Sequence, residues 1–141
     1  MSVNIDIVYD GKLFCTLKHG PSGAVIETEA PRDNGGQGTK FSPTDLVGAA
    51  LGSCILTIMG LAAQRQNLDL AGTQVHVEKE MATQPVRRIG GLKTVVRVPA
   101  QKAAGISAED RRRIEAAARQ CPVHRSLHPE IHAPIEFVWQ A

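Results

Sequence analysis

The sequence of 141 residues is poor in aromatic side chains, with one Trp, one Tyr and three Phe. Its formal net charge is only +2, and its basic residues are spread along the chain apart from short runs such as Arg111–Arg113. A nucleic-acid-binding surface needs a basic stripe and usually aromatic side chains on which bases stack. We therefore expect no nucleic-acid partner, and we interpret Arg111–Arg113 as the solvated face of a helix.

The sequence also lacks the features of secreted and membrane proteins. Its start contains an acid, Asp6, and no long apolar segment of the kind that a secretory signal carries. An odd number of cysteines, three, argues against a disulfide framework. We therefore expect a cytoplasmic protein, in which paired thiols usually serve redox chemistry.

The apolar run Leu46–Ala63 approaches the length of a membrane span, but glycines and small polar residues interrupt it. We expect no membrane partner and predict a buried helix in a single domain, residues 1–141.

The pattern of apolar and polar residues predicts an α+β fold with the element order βββ-α-ββ-α-α-β. Asp10-Gly11 predicts a tight hairpin turn between the first two strands, and Gly90-Gly91 predicts a turn before the fifth. The predicted strands are Val3–Tyr9, Lys12–Lys18, Ala24–Glu29, Thr73–Met81, Leu92–Pro99 and Ala133–Gln140, and the predicted helices run from Ser42 to Ala63, from Ser107 to Cys121 and from Pro122 to Leu127.

The longest helix has a clear start. Ser42 is a good N-cap and Pro43 suits the first helical position. Asp45, three residues after Ser42, makes an acidic variant of the capping box. Apolar residues cover nearly the whole circumference of this helix, so we expect it to be buried on all sides. Cys54 lies in its middle.

The three cysteines have different surroundings. Cys15 lies on an apolar strand face and is expected to serve packing alone, and packing is an equally good account of Cys54. Cys121 precedes Pro122 at a helix break, where free backbone N–H groups would stabilise a thiolate. Cys54 and Cys121 together form a candidate peroxidatic and resolving couple, which passes through a sulfenic acid to a disulfide. Arg32 in the glycine-rich loop is the candidate cation that would activate the first thiol.

Two other chemistries have candidate residues in the same segments. Cys121, His124, His128 and His132 read C-x2-H-x3-H-x3-H, and thiolate and imidazole ligands at such spacings can bind zinc. Pro129 interrupts any continuous helix that would align these histidines, and surface histidines are the simpler interpretation. A serine hydrolase is disfavoured because Gly52-Ser53-Cys54 lies inside a predicted helix and no G-x-S-x-G motif occurs.

Three segments carry a resemblance to a known family. SPTDLVGAALGSC, ending at Cys54, resembles the central-helix signature of the OsmC/Ohr family of osmotically inducible and organic hydroperoxide resistance proteins. CPVHRSL, starting at Cys121, resembles the second cysteine motif of that family, and PRDNGGQGTKFSP resembles its glycine-rich approach to the helix. The resemblance implies an OsmC-like α+β fold, in which antiparallel sheets wrap around two central helices of an intertwined homodimer.

The resemblance also implies a function. It implies a cysteine-based peroxidase for organic hydroperoxides in oxidative stress, with no cofactor and no metal, regenerated by a dithiol reductant that in some members is a lipoyl group on a protein. Cys54 matches the peroxidatic position and Cys121 the resolving one. The glutamate that holds the catalytic arginine in family hydroperoxidases is replaced by Thr44, with Asp45 beside it, so either residue is a candidate to position Arg32. That replacement is also the motive for an alternative, a non-enzymatic ligand-binding or redox-sensing dimer of the OsmC-like branch.

Overall fold

The computed structural model describes all residues, 1–141, and the chain divides into two compact units, residues 1–47 and 48–141. The boundary falls inside the longest helix, α1, which spans Pro43–Gln64. The single domain expected from the chain length stays a prediction. The α+β class is confirmed.

The first unit contains a three-stranded antiparallel sheet made of β1 Ile5–Gly11, β2 Phe14–His19 and β3 Val25–Glu29, in that spatial order. The predicted turn position was wrong. The two central residues of the turn are Lys12 and Leu13, with φ of 54° and 70°, and a type I′ turn requires positive φ at both. The register shifts between Tyr9 and Gly11, so a bulge at Gly11, with φ 88°, moves the turn two residues along the chain.

Most of this first sheet is open to solvent. Ile7 and Val8, which point to opposite faces of β1, expose 60% and 61% of their surface. Only Thr28 and Glu29 at the end of β3 are buried. The loop that follows is irregular, as predicted, apart from one turn of 3₁₀ helix at Arg32–Asn34.

The start of α1 confirms the predicted capping box. The Asp45 N–H donates to Ser42 Oγ at 3.1 Å, and the Ser42 N–H donates to Asp45 Oδ2 at 2.9 Å. These reciprocal bonds satisfy backbone donors that no helical carbonyl can reach. The sequence therefore determines where this helix begins.

The expected burial of α1 on all sides was wrong, because within residues 48–64 one stripe is buried and the opposite side is exposed. The buried face packs closely on neighbouring strands, since a Cβ added at Gly48 would lie 3.6 Å from the side chains of Leu92 and Val77. By length and composition alone α1 could also cross a membrane, a test that the core helices of soluble proteins pass as well. The buried stripe is Gly48, Leu51, Gly52, Ile55, Met59 and Ala63, and the exposed side carries Ala49, Ala50, Ser53, Thr57 and Leu61.

The second unit contains the sheet that α1 covers, with β4 Gln74–Ala82, β5 Arg88–Val98 and β6 Ile135–Trp139 in that order. β4 and β5 form the predicted antiparallel hairpin, whereas β6 pairs with β5 in parallel, so this sheet is mixed. A Cβ added at Gly52 would lie 3.1 Å from the Val77 side chain, which shows how closely the helix approaches β4.

The turn predicted at Gly90-Gly91 was also wrong, since both glycines lie within β5. A Cβ at Gly90 would come within 2.9 Å of the Ala82 Cβ on the facing strand. Gly90 therefore permits a close approach of the two strands. The connection between the strands consists of residues 83–87.

Three helices join β5 to β6: α2 Ala100–Ala103, α3 Ala108–Ala118 and α4 Pro122–Ser126. The sequence did not predict the short α2. Ser107 caps α3 as predicted, because its Oγ accepts a hydrogen bond from the Asp110 N–H at 3.1 Å. Cys121 caps α4, also as predicted. The core of the unit comprises fully buried residues of α1, β5 and α3, among them Leu51, Ile55, Leu92, Val96, Val98 and Ile114.

Candidate functional site

The second unit brings Cys54 and Cys121 together as neighbours, close enough for Cys54 to raise the pKa of the Cys121 thiol. Cys54 is held halfway along α1, and Cys121 is held at the junction of α3 and α4. Cys54 is partly exposed, whereas Cys121 is completely buried. The fold therefore pairs one reachable sulfur with one sulfur that solvent cannot reach.

Burial raises the pKa of the Cys121 thiol above its ordinary value, and the hydrogen bond to Cys54 and the charge of that neighbour raise it further. The backbone N–H groups of His124 and Val123 act in the opposite direction, the first at 3.4 Å from Cys121 Sγ. The predicted contact with helix N–H groups is thus present, but it does not make Cys121 a thiolate. At neutral pH Cys121 is protonated and can donate its S–H to Cys54.

This geometry suits thiol redox chemistry. A disulfide requires a sulfur–sulfur distance of about 2.05 Å, so only neighbouring thiols such as Cys54 and Cys121 can form one. Both cysteines are free in the structure, which is the reduced state of such a pair. The buried thiol has no access to a bulky oxidant, so the partly exposed Cys54 is the sulfur that a substrate can approach.

The other predicted site residues lie in the first unit. Arg32 is exposed on the 3₁₀ turn, and its Nε donates to the Gln37 carbonyl oxygen at 3.0 Å. Asp45 Oδ2 is engaged in the capping box, and Thr44 Oγ1 lies 3.2 Å from Ser42 Oγ. The roles expected for Arg32, Asp45 and Thr44 toward Cys54 stay predictions.

Sequence reasoning missed one residue of the first unit, Glu29. Only 1% of its surface is exposed, yet three donors of the following loop bond to its carboxylate. Hydrogen bonds from the Thr39 hydroxyl and the Gln37 N–H lower the pKa of Glu29, against the opposing effect of burial. The strand pattern did not distinguish Glu29 from the exposed Glu27, although an acid directly before a glycine-rich loop was a signal that could have been used.

The zinc alternative finds no site, because no three histidine, cysteine or acidic side chains come together to hold a metal ion. Nε2 of His124 lies 3.0 Å from the Ala133 carbonyl oxygen, and Nδ1 of His128 accepts the Glu130 N–H at 3.1 Å. Two of the three histidines of the predicted motif, His124 and His128, are thus engaged with nearby backbone groups.

Comparison with known proteins identifies the family of this chain. The family model described as OsmC-like protein matches residues 36–136, which confirms the resemblance carried by the two cysteine motifs. A crystal structure from Psychrobacter arcticus, of a protein provisionally named an osmotic stress induced and detoxification response protein, is 34% identical with a TM-score of 0.85, covering 94% of this chain and 93% of that one.

More distant structures share the fold alone. The organic hydroperoxide resistance protein OsmC of Legionella pneumophila has a TM-score of 0.74 at 15% identity, covering 98% of this chain and 97% of that one. The organic hydroperoxide resistance protein OhrB of Bacillus subtilis has a TM-score of 0.68 at 14% identity, with 97% and 98% covered. No functionally curated protein matches the chain.

Proposed function

The chain belongs to the OsmC-like protein family, and we propose that it is a thiol-dependent peroxidase that reduces organic hydroperoxides. The observation that carries the proposal is the neighbouring pair of free thiols, Cys54 partly exposed and Cys121 buried. Structural relatives named organic hydroperoxide resistance proteins support the substrate class.

The proposed cycle has three steps. The Cys54 thiolate attacks the terminal oxygen of the hydroperoxide, the O–O bond breaks, and Cys54 becomes a sulfenic acid. The alkoxide that leaves takes up a proton from solvent and departs as the alcohol. The Cys121 thiol, already beside Cys54, attacks that sulfur, so that a disulfide forms and water is released. A dithiol reductant, such as a lipoyl group on a partner protein, then reduces the disulfide and is itself oxidised to a disulfide.

Cys54 needs a cation from outside its own helix. It lies about three turns beyond Ser42, and the helix dipole acts only within about the first turn. We assign this role to Arg32, whose guanidinium is always charged and offers several donors to a thiolate and a peroxide oxygen. Asp45 or Thr44 at the start of α1 would position that arginine. Arg32 Nε donates to the Gln37 carbonyl oxygen, and the two terminal guanidinium nitrogens are the further donors for such contacts.

A homodimer is part of the proposal. Large apolar residues on both faces of β1, among them Ile7, Val8 and Tyr9, expose 60–62% of their surface. The uncovered side of α1 also carries apolar residues, Ala49, Ala50 and Leu61, beside the small polar residues Ser53 and Thr57. Contiguous apolar surface of this kind marks interaction sites, and a second copy supplies a matching surface. We place this dimer in the cytoplasm, where dithiol reductants keep cysteines reduced.

Reaction of the reduced protein with cumene hydroperoxide tests the proposal. We expect one equivalent of peroxide to be consumed and a Cys54–Cys121 disulfide to be found by mass spectrometry. Cys54→Ser should abolish consumption, whereas Cys121→Ser should stop after one oxidation to sulfenic acid. Cys15→Ser is the matched control and should behave as the wild type. Unchanged peroxide with free thiols would overturn the proposal.

Binding of an apolar probe, measured beside peroxide consumption, distinguishes the non-enzymatic alternative from the peroxidase. Replacement of the family glutamate by Thr44 favours that alternative, because the arginine would lack its usual partner. A ligand-binding dimer predicts that the wild type and Cys54→Ser bind an apolar fluorescent probe equally, with no peroxide consumption by either.

A further inference from the structure

We propose that Glu29 positions Arg32, by anchoring the glycine-rich loop of residues 30–41 through hydrogen bonds that both of its carboxylate oxygens accept. The inference about the loop stands on the contacts of the first unit. Its consequence for catalysis rests on the proposed function.

Both carboxylate oxygens of Glu29 accept hydrogen bonds from the loop. Oε2 accepts the Gln37 N–H at 2.7 Å, and Oε1 accepts both the Thr39 N–H at 2.8 Å and the Thr39 hydroxyl at 2.7 Å. Hydrogen bonds to an ionised acceptor are roughly twice as strong as those between neutral groups. Burying a carboxylate costs free energy unless such donors surround it. Because Glu29 is buried, the loop conformation that supplies these donors is favoured over others.

The loop needs an anchor of this kind. Its glycines, Gly35, Gly36 and Gly38, lose more conformational freedom on ordering than other residues. The Glu29 N–H closes the base of the loop by donating to the Phe41 carbonyl oxygen at 3.1 Å. The side chain of the same residue thus fixes the middle of the loop while its backbone fixes the end.

Gln37 transmits this anchoring to Arg32. Its N–H is held by Glu29, and its carbonyl oxygen accepts the Arg32 Nε–H at 3.0 Å. The arginine stem also lies against the loop backbone, since a Cβ at Gly38 would come within 2.9 Å of Arg32 Cγ. A shift of residues 37–38 would therefore displace the guanidinium. Glu29 does not touch Arg32 and acts on it only through this chain of contacts.

Glu29→Gln tests the inference, with Glu27→Gln as the matched control. The amide of glutamine keeps the size of the side chain but replaces one acceptor oxygen by a donor. Glu27 is exposed and contacts Lys40 across 3.0 Å at the surface. Hydrogen exchange of the Gln37 and Thr39 amides and of the Arg32 Nε–H should accelerate by about tenfold or more in Glu29→Gln. In Glu27→Gln the same exchange should accelerate by less than about twofold. Unchanged exchange in Glu29→Gln would overturn the inference, whether or not the protein consumes peroxide.

The catalytic consequence has its own readout. If the proposed function holds, Glu29→Gln should lower the rate constant for peroxide consumption by about tenfold, because the activating cation is misplaced. The loss should disappear in an Arg32→Ala background, and Glu29→Asp should restore part of the rate. Full additivity of Glu29→Gln and Arg32→Ala would contradict positioning through Arg32. An inactive wild type would instead refute the proposed function and leave the exchange result to decide the inference.

Thr39→Val provides a second variant if Glu29→Gln does not fold. It removes one of the three donors to Glu29 and keeps the carboxylate. Exchange of the Gln37 N–H and the Arg32 Nε–H should accelerate less than in Glu29→Gln but more than in Glu27→Gln. No change relative to Glu27→Gln would count against the anchor.

Discussion

The two three-stranded sheets of this chain have similar apolar patterns and very different burial. Leu92, Val96 and Val98 in β5 are completely buried, whereas Ile7 and Tyr9 in β1 expose 60% and 62% of their surface. The second sheet is covered by α1 of the same chain, and the first sheet keeps its apolar residues in solvent. The difference teaches that an alternating pattern identifies residues fit for burial and does not identify what buries them.

The largest expected effect is the loss of stability when a side chain in the core of the second sheet is truncated, compared with the same change in the first sheet. Leu92→Ala should lower the free energy of unfolding by about 2–5 kcal/mol, because the truncation leaves a cavity in a fully buried site. Ile7→Ala should cost much less at protein concentrations low enough to keep the chain monomeric. Urea denaturation of both variants gives the comparison. Equal losses at every concentration would show that β1 is buried within the chain and would break the contrast.

Self-association tests what covers the first sheet. Ile7→Asp should weaken the proposed dimer at least tenfold, about 1.4 kcal/mol, because a carboxylate would enter an apolar interface. Val86→Asp is the control, since Val86 is equally exposed at 63% but lies in the connection between β4 and β5. Sedimentation velocity over a dilution series measures both. A monomeric wild type, or equal effects of the two variants, would remove β1 as the association surface.

The buried thiol of the second unit makes stability depend on alkaline pH. The pKa of Cys121 is raised in the folded state by burial and by Cys54, so above about pH 8.5 the unfolded chain releases this proton first. The contribution of this thiol to stability should therefore be constant below that pH and fall above it, by at most about 1.4 kcal/mol per pH unit for one proton.

Urea unfolding between pH 7 and 10 measures this slope. Cys121→Ala should reduce the alkaline loss, whatever its effect on stability at neutral pH. Cys15→Ala, in the first unit, should keep the wild-type slope. A slope that is the same in all three proteins would contradict the assignment to Cys121.

The smallest effect is expected for the surface ion pair of the first unit. Lys40 Nζ lies 3.0 Å from Glu27 Oε2, with side-chain exposures of 44% and 53%. Lys40→Gln should cost less than about 1 kcal/mol, since water and salt screen such pairs. Thermal unfolding at low and high salt measures it, with Arg113→Gln in the exposed pair with Glu109 as the counterpart in the second unit. A loss above about 2 kcal/mol would indicate that a partner shields the first sheet.

Local signals accounted for much of the fold. Ser42 with Asp45, Ser107 and Cys121 marked three helix starts correctly, because a cap depends on a few consecutive residues. Turn signals were less secure. Asp10-Gly11 and Gly90-Gly91 both have turn chemistry, but the first forms a bulge beside the turn and the second lies within a strand. Glycine permits either outcome, and the facing strand selects between them.

The site was predictable in part. The motifs around Cys54 and Cys121 identified the two thiols and the family, since short segments preserve both chemistry and spacing. Glu29 was not predictable from its strand pattern, because its importance comes from the loop folding back onto its carboxylate. The sign of the pKa shift of Cys121 was misjudged for a similar reason, since burial outweighed the contact with His124.

By itself the sequence determined the class of most elements, the capped start of α1 and the two cysteine motifs that point to the OsmC-like family. Those features depend on the periodicity of side chains and on bonds between neighbouring residues. Only the tertiary structure decided which face of α1 is buried, that Cys121 is the hidden, protonated partner of Cys54, and that Glu29 holds the loop of Arg32. Each depends on packing between segments distant along the chain, which no local pattern specifies.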